Sequence, residues 1–358
     1  MAEAWRLPFR AVMPPTTSLA ALHAVLERAT PSLRRAGGEA RCRLLGELVR
    51  DGLTNLPPPG AGATLDRWRA LACVASHDLA LAKLYEGHTD AMAILEEAGI
   101  PNPHPRETWG MWAAEPPNAR VTFTDMGDGH CRLNGLKAWC SGGAHLDRAL
   151  LTVWSPEGRG PILASVSLRD PGVSLLDTPW YADGMSAADT VDVRFDDAAA
   201  QIVGPERFYL ERPGFWQGGA GIAACWHGGT AAAGHALRAR VKAAPEPGWH
   251  LLRALGEVDR MLEANAALLR EAASWIDGHP DAEAQAVATR VRVNADSVAQ
   301  QVLVEIGRAL GAGPLCRDEA LARVTTDLPT FIRQCHGDRD LASLGQCLAR
   351  QEQVPWQL

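Results

Sequence analysis

The apolar positions of this chain change period twice. From about residue 16 to 100 they recur every three to four residues. Leu19, Leu22 and Val25/Leu26 form one stripe, and Leu65, Trp68, Leu71/Ala72 and Ala75 form another. Ser18 and Thr64 stand where helix N-caps are needed. The run over 79–88, followed by 91–95, predicts two more buried helices broken near Gly87. Pro101, Pro103 and Pro105 end the block, because the residue before a proline is pushed out of the helical region.

Between about 106 and 203 the period is two. Val121/Phe123, Cys131/Leu133, Ile162/Ala164/Val166, Val173/Leu175 and Val191/Val193/Phe195 are short alternating runs, parted by turns such as Asp128-Gly129 and Asp170-Pro171-Gly172. Strands this close, with no helix between them, predict an antiparallel β domain. Asn134-Gly135 reads as a two-residue hairpin turn, since Asn and Gly accept positive φ. After Pro205 the helical period returns. Leu251, Leu255, Val258, Leu262, Leu269, Ala272 and Ile276 make one stripe, closed by Gly278 and Pro280. Asp281 is placed to cap a second long helix bearing Val287, Val291, Val298, Val302 and Ile306, ended by Gly311. The pattern predicts an α+β chain of three domains: an N-terminal helical domain over 1–105, a middle antiparallel β domain over 106–205 and a C-terminal helical bundle over 206–358.

Length and charge narrow the function. At 358 residues the chain exceeds the reach of one core. A net charge of −7 with dispersed arginines argues against nucleic acid as a partner. No apolar run approaches the ~20 residues needed to span a bilayer, and residues 1–8 lack the pattern of a secretory signal. Eight scattered cysteines show no CxxC spacing and read as reduced, buried thiols. A cytoplasmic location is expected.

Residues 131–143 hold the candidate chemistry. Trp139, Ser141 and the backbone of Gly142-Gly143 bring a flat indole, a hydroxyl and exposed amides together, parts suited to a planar ring with polar edges. His336, beside Cys335, is a candidate general base or substrate donor, because imidazole titrates in the useful range. Its ordinary reading is a solvated helix start capped by Asp338. His227, beside Trp226 in a Gly-rich helix start, is the second acid–base candidate, with a packed histidine as the alternative. Glu115 is either a substrate-side carboxylate or part of a Glu-Pro turn. No pair of these residues has metal-ligand spacing, so no metal is expected.

Residues 134–143 resemble the Asn-Gly-x-Lys-x-Trp-Ile-Thr-Asn-Gly segment of acyl-CoA dehydrogenases, whose Trp and Thr lie against the flavin. Residues 180–197 resemble the family's Met-Gly-x-Arg-x-Ser-Asp-Thr-x-x-Ile-x-Phe-x-Asp, and 223–229 its Gly-rich start of the first long C-terminal helix. The resemblance implies an FAD-dependent oxidoreductase of small-molecule substrates, a homodimer or homotetramer, with its site between the β domain and the bundle. Trp139 and Ser141 would contact FAD. So would Ala113 and Ala114, at the family's x-x-Thr-Glu-Pro position. Gly311 and Gly313 would lie in the Gly-Gly-x-Gly turn that can approach a neighbour's FAD.

The chain also departs from the family. Ala114 replaces the Thr, and the following Gly-Ser-Asp is missing. The FAD-gripping Arg-x-Phe-Gly has no counterpart, leaving Arg238 or Arg240 to stand in. The catalytic carboxylate falls at Cys335 or His336, its alternative position at Gly218-Gly219, and the Tyr-Glu-Gly at Tyr85 lies in the wrong block. Standard acyl-CoA dehydrogenation is therefore not expected, and His336 or His227 would supply the acid–base chemistry. Two alternatives follow: a monooxygenase like the dibenzothiophene branch, and a flavin-free partner or scaffold.

Overall fold

The computed structural model describes residues 17–155, 160–352 and Trp356; residues 1–8, read above against a secretory signal, lie outside it. Four helices open the fold: α1 (Leu19–Leu33), α2 (Gly38–Arg50), α3 (Thr64–His77) and α4 (Leu79–Glu97). Ser18 caps α1 as expected, accepting the Ala21 N–H at 3.3 Å. Thr64 does not cap α3. It is the first helical residue, and its hydroxyl donates to Asp277 at 2.6 Å. Helix α4 runs unbroken through Gly87, whose missing Cβ would sit 3.6 Å from the Met111 amide. A lone helical glycine costs about 1 kcal/mol, which packing on both sides outweighs.

The middle block is a small barrel and not the plain antiparallel sheet expected. Its strands are β1 (Trp109–Trp112), β2 (Val121–Gly127), β3 (His130–Ser141), β4 (Arg148–Trp154), β5 (Pro161–Ser167), β6 (Val173–Leu176) and β7 (Thr190–Val203). Neighbours run β4–β2–β3–β7–β5 and return to β4, closing the ring; β1 and β6 flank it. The β1–β4 and β2–β4 pairs are parallel. Strand β4 shows no alternation in sequence because residues 149–153 are all buried. Ala149, Leu151 and Val153 fill the barrel core, while Leu150 packs outward with Ala91, Ile94 and Leu95 of α4.

The β2–β3 hairpin turns at Gly127-Asp128-Gly129, all with positive φ. The turn at Asp128-Gly129 is as expected, whereas Asn134-Gly135, read as a further two-residue hairpin turn, lies within β3 at a bulge. Gly135 has φ +125, and a Cβ there would land 2.2 Å from the Arg120 carbonyl oxygen. Only glycine fits so close a strand crossing.

The remaining helices are α5 (Phe208–Glu211), α6 (Gly214–Ala220), α7 (Ile222–Ala243), α8 (Trp249–Gly278), α9 (Gln285–Leu310), α10 (Ala312–Arg317), α11 (Glu319–Phe331) and α12 (Asp338–Ala349). The two long stripes read from sequence are α8 and α9. Helix α9 starts behind Ala284, not at Asp281, and Asp338 lies in the first turn of α12 behind Gly337.

The helices from both ends of the chain share one core. Leu45, Trp68 and Tyr85 belong to the same apolar cluster as Trp226, Leu269 and Phe331. At Gly228 of α7 a Cβ would come within 2.2 Å of the Ala72 carbonyl oxygen, so α3 and α7 meet almost backbone to backbone. Among the described residues no helix is long and apolar enough to cross a membrane.

Candidate active site

The barrel wall of the site is built by a second bulge in β3, between Lys137 and Cys140. There Trp139 takes φ +59, a region that bulky side chains seldom enter. Its N–H leaves the ladder and donates to Asp192 Oδ1 at 3.0 Å. The bulge breaks the in–out alternation: Lys137, Ala138 and Cys140 are buried while the Trp139 indole is 58% exposed. Ser141 pairs with Thr190 of β7, and their hydroxyl oxygens lie 3.1 Å apart. Beside them, His145 Nε2 sits 2.8 Å from Asp189 Oδ2, and the Gly142 N–H donates to the Ala188 and Asp189 carbonyls.

This wall is held from behind by a buried charge. Lys137 Nζ donates to Thr152 Oγ1 at 2.7 Å and to the Thr152 carbonyl at 3.1 Å. Glu115 stands 3.5 Å from Nζ and accepts from Thr152 Oγ1 and Trp154 Nε1 at 2.6 and 2.8 Å. Burial pulls the Lys137 ammonium below its ordinary value, and Glu115 opposes that. Glu115 is thus the counterion of a buried lysine, and it anchors the segment that carries Ala113 and Ala114. Trp112 Nε1 donates to the Ser141 carbonyl at 3.3 Å and ties the same segment to the end of β3.

The helical wall is polar. Lys83, Glu86, Asp90 and Glu97 fall on one face of α4, at spacings that repeat with the helical turn. Lys83, Glu86 and Asp90 each keep about a fifth of their side-chain surface exposed, 19, 20 and 19%. Facing them are Arg67, Arg212 and Arg292. Arg212 donates to Glu97 Oε2 at 2.7 Å, lies 3.9 Å from Asp90 and covers the Tyr209 ring. Arg292 donates to the carbonyls of Gly219 and Gln334 at 3.0 and 2.8 Å and lies over Trp226. Among the described residues, neither Arg67 nor Arg292 is hydrogen-bonded to a carboxylate on this face.

Asp90 accepts no hydrogen bond among the described residues. Burial raises its carboxyl above the ordinary range, against the pull of Arg212. Its Oδ1 would lie 3.3 Å from a Cβ on Gly218. The Arg212 Nε and Trp226 Nε1 donors are buried with no partner among the described residues. Helix α4 joins the two walls. A Cβ on Gly142 would meet Leu84 at 2.8 Å, and Gly87 faces Met111. The charged face therefore begins within one turn of the Ser141-Gly142 corner.

The histidines expected to act are placed differently from each other. His336 is exposed in the turn before α12, its N–H donating to Asp340 Oδ2 at 3.0 Å and its Nδ1 3.5 Å from Asp340 Oδ1. Arg292 holds the neighbouring Gln334 carbonyl and so ties this turn to the polar wall. His227 is held inside the bundle: its Nδ1 is 2.9 Å from Asn265 Nδ2, and Asn265 Oδ1 accepts from Asn294. Burial lowers its proton affinity. Cys335 is buried, its thiol pushed up by burial. Gly311, with φ +65, and Gly313 face open space, and no side chain crowds either. Thr190, Asp90, Arg292 and the His145–Asp189 pair are not visible in the sequence, because each meets the site from a segment far away along the chain.

No family model and no curated protein matches this chain. Solved structures do. KijD3, solved with FMN and a dTDP-linked amino-keto sugar, aligns with TM-score 0.77 and 19% identity over 96% of each chain. FMN-bound TdsC from Paenibacillus sp. A11-2 aligns at 0.76 and 18% identity, over 94% of this chain and 98% of that one. Butyryl-CoA dehydrogenase from Megasphaera elsdenii gives 0.78 and 18% identity, over 93% and 97%. The helices, barrel and closing bundle of this chain are thus assembled in the acyl-CoA dehydrogenase fold.

Proposed function

We propose that this chain is a flavin-dependent oxidoreductase acting on a polar small molecule and not on a fatty acyl thioester. One observation carries the flavin half. Trp139, a large aromatic residue, is held at positive φ and pushed out of the barrel beside the Ser141 and Thr190 hydroxyls. Strain of this kind costs about 1–3 kcal/mol and persists where it serves a site. An exposed flat indole with two hydroxyls at its edge fits an isoalloxazine ring. The FAD expectation widens here to a flavin, since KijD3 and TdsC were solved with FMN.

A bound flavin supplies two-electron chemistry. The protein supplies the rest. Trp139 would offer a face to the ring, and the Ser141 and Thr190 hydroxyls would serve its polar edge. The Lys137–Glu115 pair fixes the strand that carries Trp139. The charged face of α4 supports the substrate half of the reading, because the partly exposed Lys83, Glu86 and Asp90 would desolvate at a cost against an alkyl chain. Asp90 can hold a proton at Oδ1 beside Gly218. His336 is the better placed of the two histidines for acid–base work, since Arg292 joins its turn to this wall.

A monooxygenase reading within the same class is favoured by the α11–α12 turn, where Cys335 and His336 stand in place of a glutamate and the nearby carboxylate, Asp340, is engaged by the His336 N–H. TdsC, a dibenzothiophene monooxygenase, shares the fold. Cytoplasmic residence and assembly into two or four copies complete the proposal. Trp249, 77% exposed, with Leu252 and Val304 on α8 and α9, provides an apolar surface for association.

The test is the visible spectrum of the purified protein before and after incubation with FMN or FAD and removal of the excess. Flavin retained near one per chain supports the reading. A colourless protein that neither flavin reconstitutes leaves a scaffold in the same fold.

A further inference from the structure

We propose that His23, Cys73 and His77 bind a zinc-class divalent ion, at a site independent of the flavin reading. This departs from the expectation that the chain holds no metal. Cys73 and His77 are four residues apart on α3 and so share one face of it, while His23 reaches across from α1. The ligand atoms of all three lie within 4.8 Å of one another. His23 Nδ1 and His77 Nε2 are 3.0 Å apart. Two nitrogens on a tetrahedral zinc ion stand about 3.3 Å apart, given bonds of about 2.0–2.1 Å. Small side-chain rotations reach that geometry.

The hydrogen bonds around the cluster fix which nitrogens carry lone pairs. Thr30 Oγ1 donates its only proton to the Leu26 carbonyl at 2.7 Å. It must therefore accept from His77 Nδ1, 3.1 Å away. That leaves the His77 Nε2 lone pair pointing at His23, with Nδ1–H anchored as metal-bound histidines require. In the metal-free protein His23 Nδ1 donates to this lone pair. On metal binding His23 takes the other tautomer, and its Nε2–H faces Glu27 Oε1 at 3.5 Å. Each imidazole thus has an outer acceptor on α1, a hydroxyl for one and a carboxylate for the other. Cys73 gives up its thiol proton to solvent and binds as thiolate. His23 is exposed, so the fourth position opens to water. The ion would clamp α1 onto α3.

The experiment is a titration of the whole purified protein, with any flavin it retains, by Co²⁺ alone, followed as a difference spectrum. The expected result is saturation at one ion per chain, intense tetrahedral bands, a thiolate-to-cobalt charge-transfer band, and bleaching by Zn²⁺. Cys73→Ser should abolish the charge-transfer band. Thr30→Val should keep that band but weaken binding about tenfold, the usual effect of losing an outer partner. His23→Gln, at an exposed position, removes one ligand without threatening the fold, and should weaken binding more than Thr30→Val does. Cys316→Ser should change nothing. No uptake, a pale octahedral spectrum, or a thiolate band that survives Cys73→Ser would overturn the site.

Discussion

Trp139 concentrates the conflict between stability and function at a single residue. Its side chain gains little from packing, because the indole is more than half exposed, and its backbone sits where glycine is at ease. Trp139→Gly is therefore expected to leave the melting temperature unchanged or raise it, by relief of about 1 kcal/mol of strain. The same variant should lose the flavin. A melt and a cofactor titration on one preparation check both, and a large loss of stability would show that the indole packs and does not serve. Asp90 poses a similar test. Its native carboxyl holds a proton more tightly than the unfolded chain does, so the ionised form disfavours folding as pH rises. Asp90→Asn should raise the melting temperature at neutral pH while impairing turnover. A variant that melts lower would mean that the carboxylate is paired in the fold.

At the scale of elements, β3 shows what a local pattern can and cannot tell. Trp139 and Ser141 are legible in the sequence, because an aromatic and a hydroxyl two residues apart after Asn-Gly form a recognisable set. The Asp128-Gly129 turn is legible too, but the role of Asn134-Gly135 is not, because positive φ at Gly135 serves a bulge as readily as a hairpin. Helix α4 reads in sequence as two apolar helices. Its charged face is hidden among alanines and leucines, and its partners Arg67, Arg212 and Arg292 come from three other helical segments. Strand β4 shows no alternation, because both of its faces are covered. Two glycine substitutions separate these cases. Gly135→Ala drives a Cβ into the Arg120 carbonyl at an unfavourable φ, and should destabilise by about 2–4 kcal/mol. Gly87→Ala meets Met111 at an ordinary contact distance, and should gain up to about 1 kcal/mol from helix propensity. Denaturant unfolding of the pair checks the ordering, and equal effects would refute the account of both.

At the scale of the whole molecule, the helical body and the barrel meet at α4, and one buried histidine stands in that joint. His88 Nδ1 accepts the Trp109 N–H at 3.2 Å, which requires that nitrogen to be unprotonated. Burial lowers the His88 pKa to about 4, from an ordinary value of 6.5. The unfolded chain therefore takes up a proton, as pH falls below 6.5, that the native state refuses until about 4. Over that window the fold loses roughly 3 kcal/mol, because each pH unit between the two values is worth about 1.36 kcal/mol, and the loss levels off at lower pH. Asp90 and Asp327, both raised by burial, act with the opposite sign: they favour the fold in acid and penalise it as pH rises. An acid limb between pH 6.5 and 4 therefore belongs to the buried histidines and not to these carboxyls: His77 and His227 are lowered by burial in the same direction, and His88, lowered to about 4, carries the largest share. His88→Gln keeps an acceptor for the Trp109 N–H but cannot be protonated. Its melting temperature should vary much less than the parent's across that window while staying close to it near neutrality. If the acid limb keeps its slope in His88→Gln, the joint does not titrate, and the acid sensitivity of the fold must arise elsewhere.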